Sequence, residues 1–214
     1  MLKQDQGLKG IQASVGKALA IIPLTPNQWT LLSVLIAIVA GAMIAIGNLY
    51  VGLALFAVAA LFDVIDGAVA RARNEVSALG GFIDGVADRF VEAIFLFSLM
   101  FFPLPTVLID PKIWLALVIF LGTCMPSFIR AYADHKRAIS REKALALGGI
   151  CERSERILII VAGLGAGLLI SMDVFVYSLI MVAILSLVTI LQRLAFIMKA
   201  SERSDMIPPP VKGK

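Results

Sequence analysis

The chain has 214 residues, 60% of them hydrophobic and 16% charged, with a formal net charge of +4 and a mean hydropathy of +0.95. Soluble domains run at ~45–50% apolar and ~25% charged, and a core of this size cannot hide the surplus apolar surface from water. A soluble globule, a disordered chain and a secreted disulfide scaffold are excluded. What remains is an integral membrane protein.

In residues 1–27, Leu8, Ile11, Val15, Leu19 and Ile22 recur at helical spacing with Lys9 and Lys17 among them. The pattern predicts an amphipathic juxtamembrane helix in the membrane interface, not a cleavable signal peptide. Pro23 ends it, and Thr25-Pro26-Asn27 opens the first span, because Pro suits a first helical turn. Six apolar stretches follow, at about 28–48, 50–70, 80–103, 112–133, 156–172 and 174–198. Each is near the ~20 residues that cross hydrocarbon as a helix, and none shows the short alternation of a β-barrel. The expected fold is an all-α integral membrane protein with six transmembrane helices plus the N-terminal amphipathic interfacial helix. Its membrane domain covers 28–200, and the tail 201–214, with Pro208-Pro209-Pro210, is expected to be disordered.

Cations set the orientation. Lys3, Lys9, Lys17, Arg71, Arg73, Lys136, Arg137, Arg141, Lys143, Arg153 and Arg156 share one side of such a bundle, against Lys112 on the other. Both termini and that basic face are therefore expected in the cytoplasm of a multi-pass cell-membrane protein, the positive loops facing anionic headgroups rather than nucleic acid. Cys124 and Cys151 form no metal spacing and read as small apolar filler. His135, just outside the fourth span, carries no functional signal.

The acids do. Asp63, Asp66, Asp84 and Asp88 stand within or at the ends of the second and third spans, where each costs ~2.5–3.5 kcal/mol at a helix centre. Asp63/Asp66 and Asp84/Asp88 are i, i+3 and i, i+4 pairs, so each pair lies on one helix face. Asp63 lies eight residues before Arg71 and Asp88 eight after Gly80, so antiparallel spans bring both to one depth, ~12 Å inside their ends. Four gathered carboxylates would repel, and hard divalent cations such as Mg²⁺ or Mn²⁺ resolve that repulsion. Two such ions suit displacement at phosphorus. Gly67, Ala70 and Gly80 leave room for a ligand, and Arg71 suits a phosphate. A cation transporter would also use buried acids, but these cluster towards one membrane face and no inverted repeat is evident.

The run Asp63-x2-Asp66-Gly67-x2-Ala70-Arg71-x8-Gly80-x3-Asp84-x3-Asp88 resembles the complete motif of the CDP-alcohol phosphotransferases. The resemblance implies transfer of a phosphoryl-linked group from a CDP-alcohol to an acceptor hydroxyl, with release of CMP. It implies Asp63, Asp66 and Asp84 on a first metal ion, Asp63, Asp84 and Asp88 on a second, and Asp88 as general base. It further implies that Asn27, Gln28, Trp29, Thr30, Gly67, Arg71 and Ser77 hold the CDP-lipid, and that the enzyme is a homodimer. Ser127, Arg130, the run Glu152-Arg153-Ser154-Glu155-Arg156 and Gln192-Arg193-Leu194 resemble the subgroup whose acceptor is inositol 1-phosphate. By that resemblance Ser127, Arg130, Arg153, Arg156 and Arg193 would hold the phosphate of a small phosphorylated polyol. Tyr132 stands where many of that subgroup carry a further Arg. Glycerol 3-phosphate is the alternative acceptor, and a CDP-inositol donor uses the same motif.

Overall fold

The computed structural model of the chain describes residues 18–19 and 21–205. Most of the expected N-terminal amphipathic helix, and the tail beyond 205, lie outside the described residues. The chain divides into two units, Met1–Pro103 and Leu104–Lys214.

Among its described residues the first unit has three long helices: α1 (Pro26–Ala45), α2 (Leu49–Ala72) and α3 (Ala78–Ser98), the last prolonged by a 3-10 turn at Leu99–Phe101. Thr25 and Gln28 open α1 with a reciprocal capping box, and Pro26 occupies its first turn, where a missing N–H costs nothing. Gly47, at φ 93°, closes α1: its N–H donates to the Ile44 carbonyl and that of Asn48 to the Met43 carbonyl, a paired C-terminal cap that needs a left-handed residue. Asn74, at φ 57°, ends α2 in the same way, with Asn74 N–H on Arg71 and Glu75 N–H on Ala70.

The turn at Gly47 folds α1 and α2 into an antiparallel hairpin with a small-residue seam. Ala37, Ala40 and Ala59 are fully buried, and the Ser33 hydroxyl donates to the Ala59 carbonyl at 2.9 Å. At Gly52 a Cβ would meet the Ala40 carbonyl at 2.8 Å, so only glycine allows this approach. Trp29 packs on Phe62 with ring centroids 5.4 Å apart, and Phe56 on Phe95 of α3 edge-to-face at 5.0 Å.

The second unit holds α4 (Pro111–His135), the short α5 (Arg141–Leu145), α6 (Arg153–Leu169) and α7 (Met172–Asp205). Within α4 the hydrogen bonding widens to i→i+5 over Val118–Cys124, just before Pro126, whose ring nitrogen has no proton to give the preceding turn. The last helix runs five residues past Ala200 into the tail.

Among the described residues four helices are long and apolar enough to cross a membrane: α1, α2, α4 and Met172–Ser201 of α7. They carry many exposed apolar side chains, among them Leu31, Leu35 and Ile38 on α1 and Leu61 on α2, as suits contact with lipid rather than water. This is a multi-pass membrane protein. The third and fifth expected spans are helices too, but α3 carries Asp84, Asp88, Arg89 and Glu92, and α6 has 17 residues.

Candidate active site

The α1–α2 hairpin sets the first part of the site. Its register brings Thr30 opposite Asp66, and the Thr30 hydroxyl, 3.2 Å from the Pro26 carbonyl, donates to Asp66 Oδ2 at 2.5 Å. Asp66 is 5% exposed. From α3 comes Asp84, and one carboxylate oxygen from each of Asp63, Asp66 and Asp84 lies within 4.8 Å of the others. At an effective dielectric near 20, each such pair of charges repels by on the order of 3–4 kcal/mol. An all-oxygen donor set of this span, close to the ~4 Å across an octahedral Mg²⁺ shell, fits a hard divalent cation. Asp88 is outside this trio. It stands one turn further along α3, with the Arg89 guanidinium 3.9 Å away. Of the four aspartates expected to meet, the structure thus gathers three tightly.

Beside the trio opens a cleft of about 420 Å³. Thr25, Pro26, Asn27 and Thr30 line it from the start of α1; Asp66, Gly67, Ala70 and Arg71 from the end of α2; Glu75, Val76 and Ser77 from the loop; and Gly80, Gly81 and Asp84 from α3. Arg71 folds back over Gly67, where a Cβ would lie 3.2 Å from its Nη1. Ser77 caps α3, its hydroxyl accepting the Gly80 N–H at 3.0 Å. A Cβ at Gly80 would come within 3.7 Å of Asn27 Oδ1. Asn27, Thr30, Gly67, Arg71 and Ser77, of the residues expected to bind the donor, line this one cleft. Gln28 and Trp29 do not line it: the Gln28 side chain accepts the Thr25 N–H at 2.8 Å, and Trp29 is buried among Ile65 and Val69. Glu75 and Val76, in the α2–α3 loop, complete the lining with Thr25 and Gly81; the two loop residues belong to no periodic or motif pattern that would single them out in the sequence.

The second unit has its own polar centre. Arg193 of α7 is 3% exposed and Arg156 of α6 2%. Arg193 Nη1 donates to the Pro126 carbonyl at 2.6 Å, and its Nη2 lies 3.9 Å from Glu152 Oε1. Arg130 Nη2 donates to the Leu147 carbonyl at 3.2 Å. The charges of Arg130 and Arg156 repel that of Arg193, while Glu152 attracts it. The stem of Arg156 crosses Gly122, where a Cβ would lie 2.8 Å from its Cδ. The Nε atoms of Arg130 and Arg193 are buried with no hydrogen-bond partner among the described residues. Arg153 and Arg156 also sit in the first turn of α6, where the helix dipole favours anions. A buried cationic cluster of this kind is suited to a phosphate. Ser127, half-buried, follows Pro126 on α4. Tyr132 is 49% exposed, stacked on Phe128 and beneath the Lys136 ammonium.

Residues 23–192 match the CDP-alcohol phosphatidyltransferase family. The chain belongs to that family. It is accordingly a transferase acting in phospholipid synthesis. Among its relatives, an archaetidylinositol phosphate synthase of Pyrococcus horikoshii is 35% identical over 90% of this chain and 92% of its own length. One of the same name from Methanothermobacter thermautotrophicus is 35% identical, covering 82% of this chain and 84% of its own length. The crystal structure of the phosphatidylinositol phosphate synthase of Mycobacterium tuberculosis, solved in complex with manganese and citrate, superposes with a TM-score of 0.73 at 22% identity, over 95% of this chain and 96% of that one. At that identity the likeness is one of fold.

The family motif thus acquires physical content. Its first two aspartates and its glycine lie on one face at the end of α2, its third aspartate enters from α3, and its arginine closes over the glycine at the cleft. Thr30, outside that motif, is what fixes Asp66.

Proposed function

We propose that the protein transfers the phosphatidyl or archaetidyl group of a CDP-lipid to a hydroxyl of inositol 1-phosphate, releasing CMP. The observation that carries the reaction class to these residues is the aspartate trio, whose oxygens lie within 4.8 Å of one another beside a cleft able to take a nucleotide. The names of the relatives and the gathering of Arg130 and Arg156 around the buried Arg193 support the phosphorylated acceptor.

Asp63, Asp66 and Asp84 are suited to hold one Mg²⁺, and Asp63, Asp84 and Asp88 a second, with Mn²⁺ able to substitute. Bound there, the ions would neutralise the diphosphate and the charge developing on the departing CMP. Asn27, Thr30, Gly67, Arg71 and Ser77 hold the CDP end of the donor in the cleft. Asp88 takes the proton of the attacking hydroxyl. That oxygen forms a new bond to the lipid-side phosphorus as the bond from this phosphorus to the CMP oxygen breaks. Arg130, Arg153, Arg156 and Arg193, with Ser127, hold the acceptor's phosphate and so select it. The whole is a six-span homodimer with its termini and active site towards the cytoplasm, consistent with the one-sided Lys and Arg distribution.

CMP release decides the matter. The protein in detergent with Mg²⁺ is given CDP-diacylglycerol or CDP-archaeol, and inositol 1-phosphate or glycerol 3-phosphate separately. Release with inositol 1-phosphate is expected. Release with glycerol 3-phosphate alone would keep the aspartate chemistry and discard the acceptor.

A further inference from the structure

Arg73 lies outside both the family motif and the cleft lining. It is the C-terminal cap of α2, followed by Asn74, whose left-handed backbone turns the chain away towards Ser77. From that corner its guanidinium reaches back 49 and 51 residues in the sequence. Nη1 donates to the Leu24 carbonyl at 2.7 Å and Nη2 to the Ile22 carbonyl at 2.5 Å. Both are charge-assisted bonds, and the planar fork of a guanidinium is what lets one side chain hold two carbonyls at once.

The two carbonyls precede Thr25, Pro26 and Asn27, which line the cleft from the start of α1, while Arg71, two residues before Arg73, lines it from the end of α2. Besides Arg73, the Ile22–Leu24 segment is held by the Ile22 N–H on the Leu19 carbonyl and by Leu24, which packs against Trp29, Ile65 and Val69. Pro23 has no N–H, and the Leu24 N–H turns back on the Ile22 carbonyl. The α1–α2 seam, by contrast, is secured further along by the Ser33–Ala59 bond, the Trp29–Phe62 contact and the close approach at Gly52. Loss of the Arg73 bonds therefore leaves the helix pair and the Leu24 side chain packed but removes both side-chain bonds that hold the backbone carbonyls of Ile22 and Leu24 to the end of α2.

We infer that Arg73 is a positioning residue: it straps the start of α1 to the end of α2 and thereby sets the cleft that receives the CDP end of the donor. The inference rests on the reading of this cleft as the donor site. A strap of this kind acts on donor binding more than on the chemical step. Its loss should therefore appear in one Michaelis constant and not the other.

The test is steady-state CMP release by the full chain in detergent, varying CDP-lipid and acceptor separately, for Arg73→Ala, Arg73→Lys and Arg71→Ala, with melting temperatures for each. Arg73→Ala is expected to raise the donor KM about tenfold, the equivalent of one charge-assisted bond, with kcat and the acceptor KM within about twofold. Arg73→Lys, whose single ammonium cannot reproduce the fork, is expected to fall between, and it carries the test should the alanine variant fail to fold. A donor KM unchanged in both Arg73 variants while Arg71→Ala raises it overturns the strap alone. A joint fall of kcat and both affinities in step with melting temperature also overturns it, assigning Arg73 to stability. Should Arg71→Ala leave the donor KM unchanged as well, the cleft is not the donor site and the strap falls with it.

Discussion

Thr30 shows how much a single hydroxyl can decide. It donates to Asp66 Oδ2 at 2.5 Å in a site where the carboxylate is nearly sealed from water, and so restricts the rotation of that carboxylate. Partners of metal ligands typically contribute ~10–100-fold in affinity. Thr30→Val, which keeps the shape and removes the donor, is expected to weaken Mn²⁺ binding at least ~10-fold in an electron paramagnetic resonance titration, and Thr30→Ser to retain it. Asp88 stands apart from the trio, and Asp88→Asn is expected to abolish turnover while sparing CDP-lipid binding. Unchanged CMP release by that variant would remove Asp88 from the base role. Arg193→Ala should raise the KM for an acceptor bearing a phosphate and leave the donor KM alone; unaltered acceptor kinetics would put the phosphate elsewhere. The aspartates were legible from spacing because both helix periodicity and the cost of a buried charge are local properties. The Thr30–Asp66 bond was not, since it spans 36 residues and depends on how two helices slide past each other.

At the scale of the element, the same C-terminal cap recurs. Gly47 ends α1, Asn74 ends α2 and Arg137 ends α4, with φ values of 93°, 57° and 55°. Glycine and asparagine announce such a turn in a sequence; arginine does not, and its cap forms because the Ala138 N–H reaches the Ala133 carbonyl at 3.0 Å. At Gly47 a Cβ would meet nothing within 4 Å, so Gly47→Ala tests backbone strain alone and should cost about 1 kcal/mol. Gly52→Ala meets a backbone carbonyl instead and should cost more, about 1–3 kcal/mol, read as a larger drop in melting temperature. Since Gly52 sets the α1–α2 approach, that variant should also weaken metal binding, whereas Gly47→Ala should not. The start of α1 was readable in Thr25-Pro26, and the i→i+5 stretch of α4 was not: proline marks a disturbance without specifying its form.

At the scale of the molecule, composition alone distinguished membrane from solvent, and among the described residues four helices meet the length and apolarity of a span. The same composition could not announce α3 as a helix of mixed character, because its apolar residues and its acids alternate along one element. A molecule that gathers like charges in this way is under internal repulsion until a cation arrives. Chelation with EDTA is therefore expected to lower the melting temperature as well as to stop CMP release, and Mg²⁺ at ~100 times its dissociation constant to restore about 2.7 kcal/mol. A melting temperature indifferent to both would show that the trio binds no ion under those conditions.

The acids of α3 also bear on how the chain is made. Asp84, Asp88 and Glu92 lie within 21 residues of helix, and in the six-span arrangement proposed above each charge placed mid-span would oppose insertion by ~2.5–3.5 kcal/mol. In that arrangement such a helix would be poorly equipped to leave the translocon alone for lipid. The α1–α2 hairpin, emerging first and already carrying Asp63 and Asp66, offers it a polar seam in place of hydrocarbon. The order of the helices along the chain is thus also an order of birth, in which the half-built site receives the element that completes it.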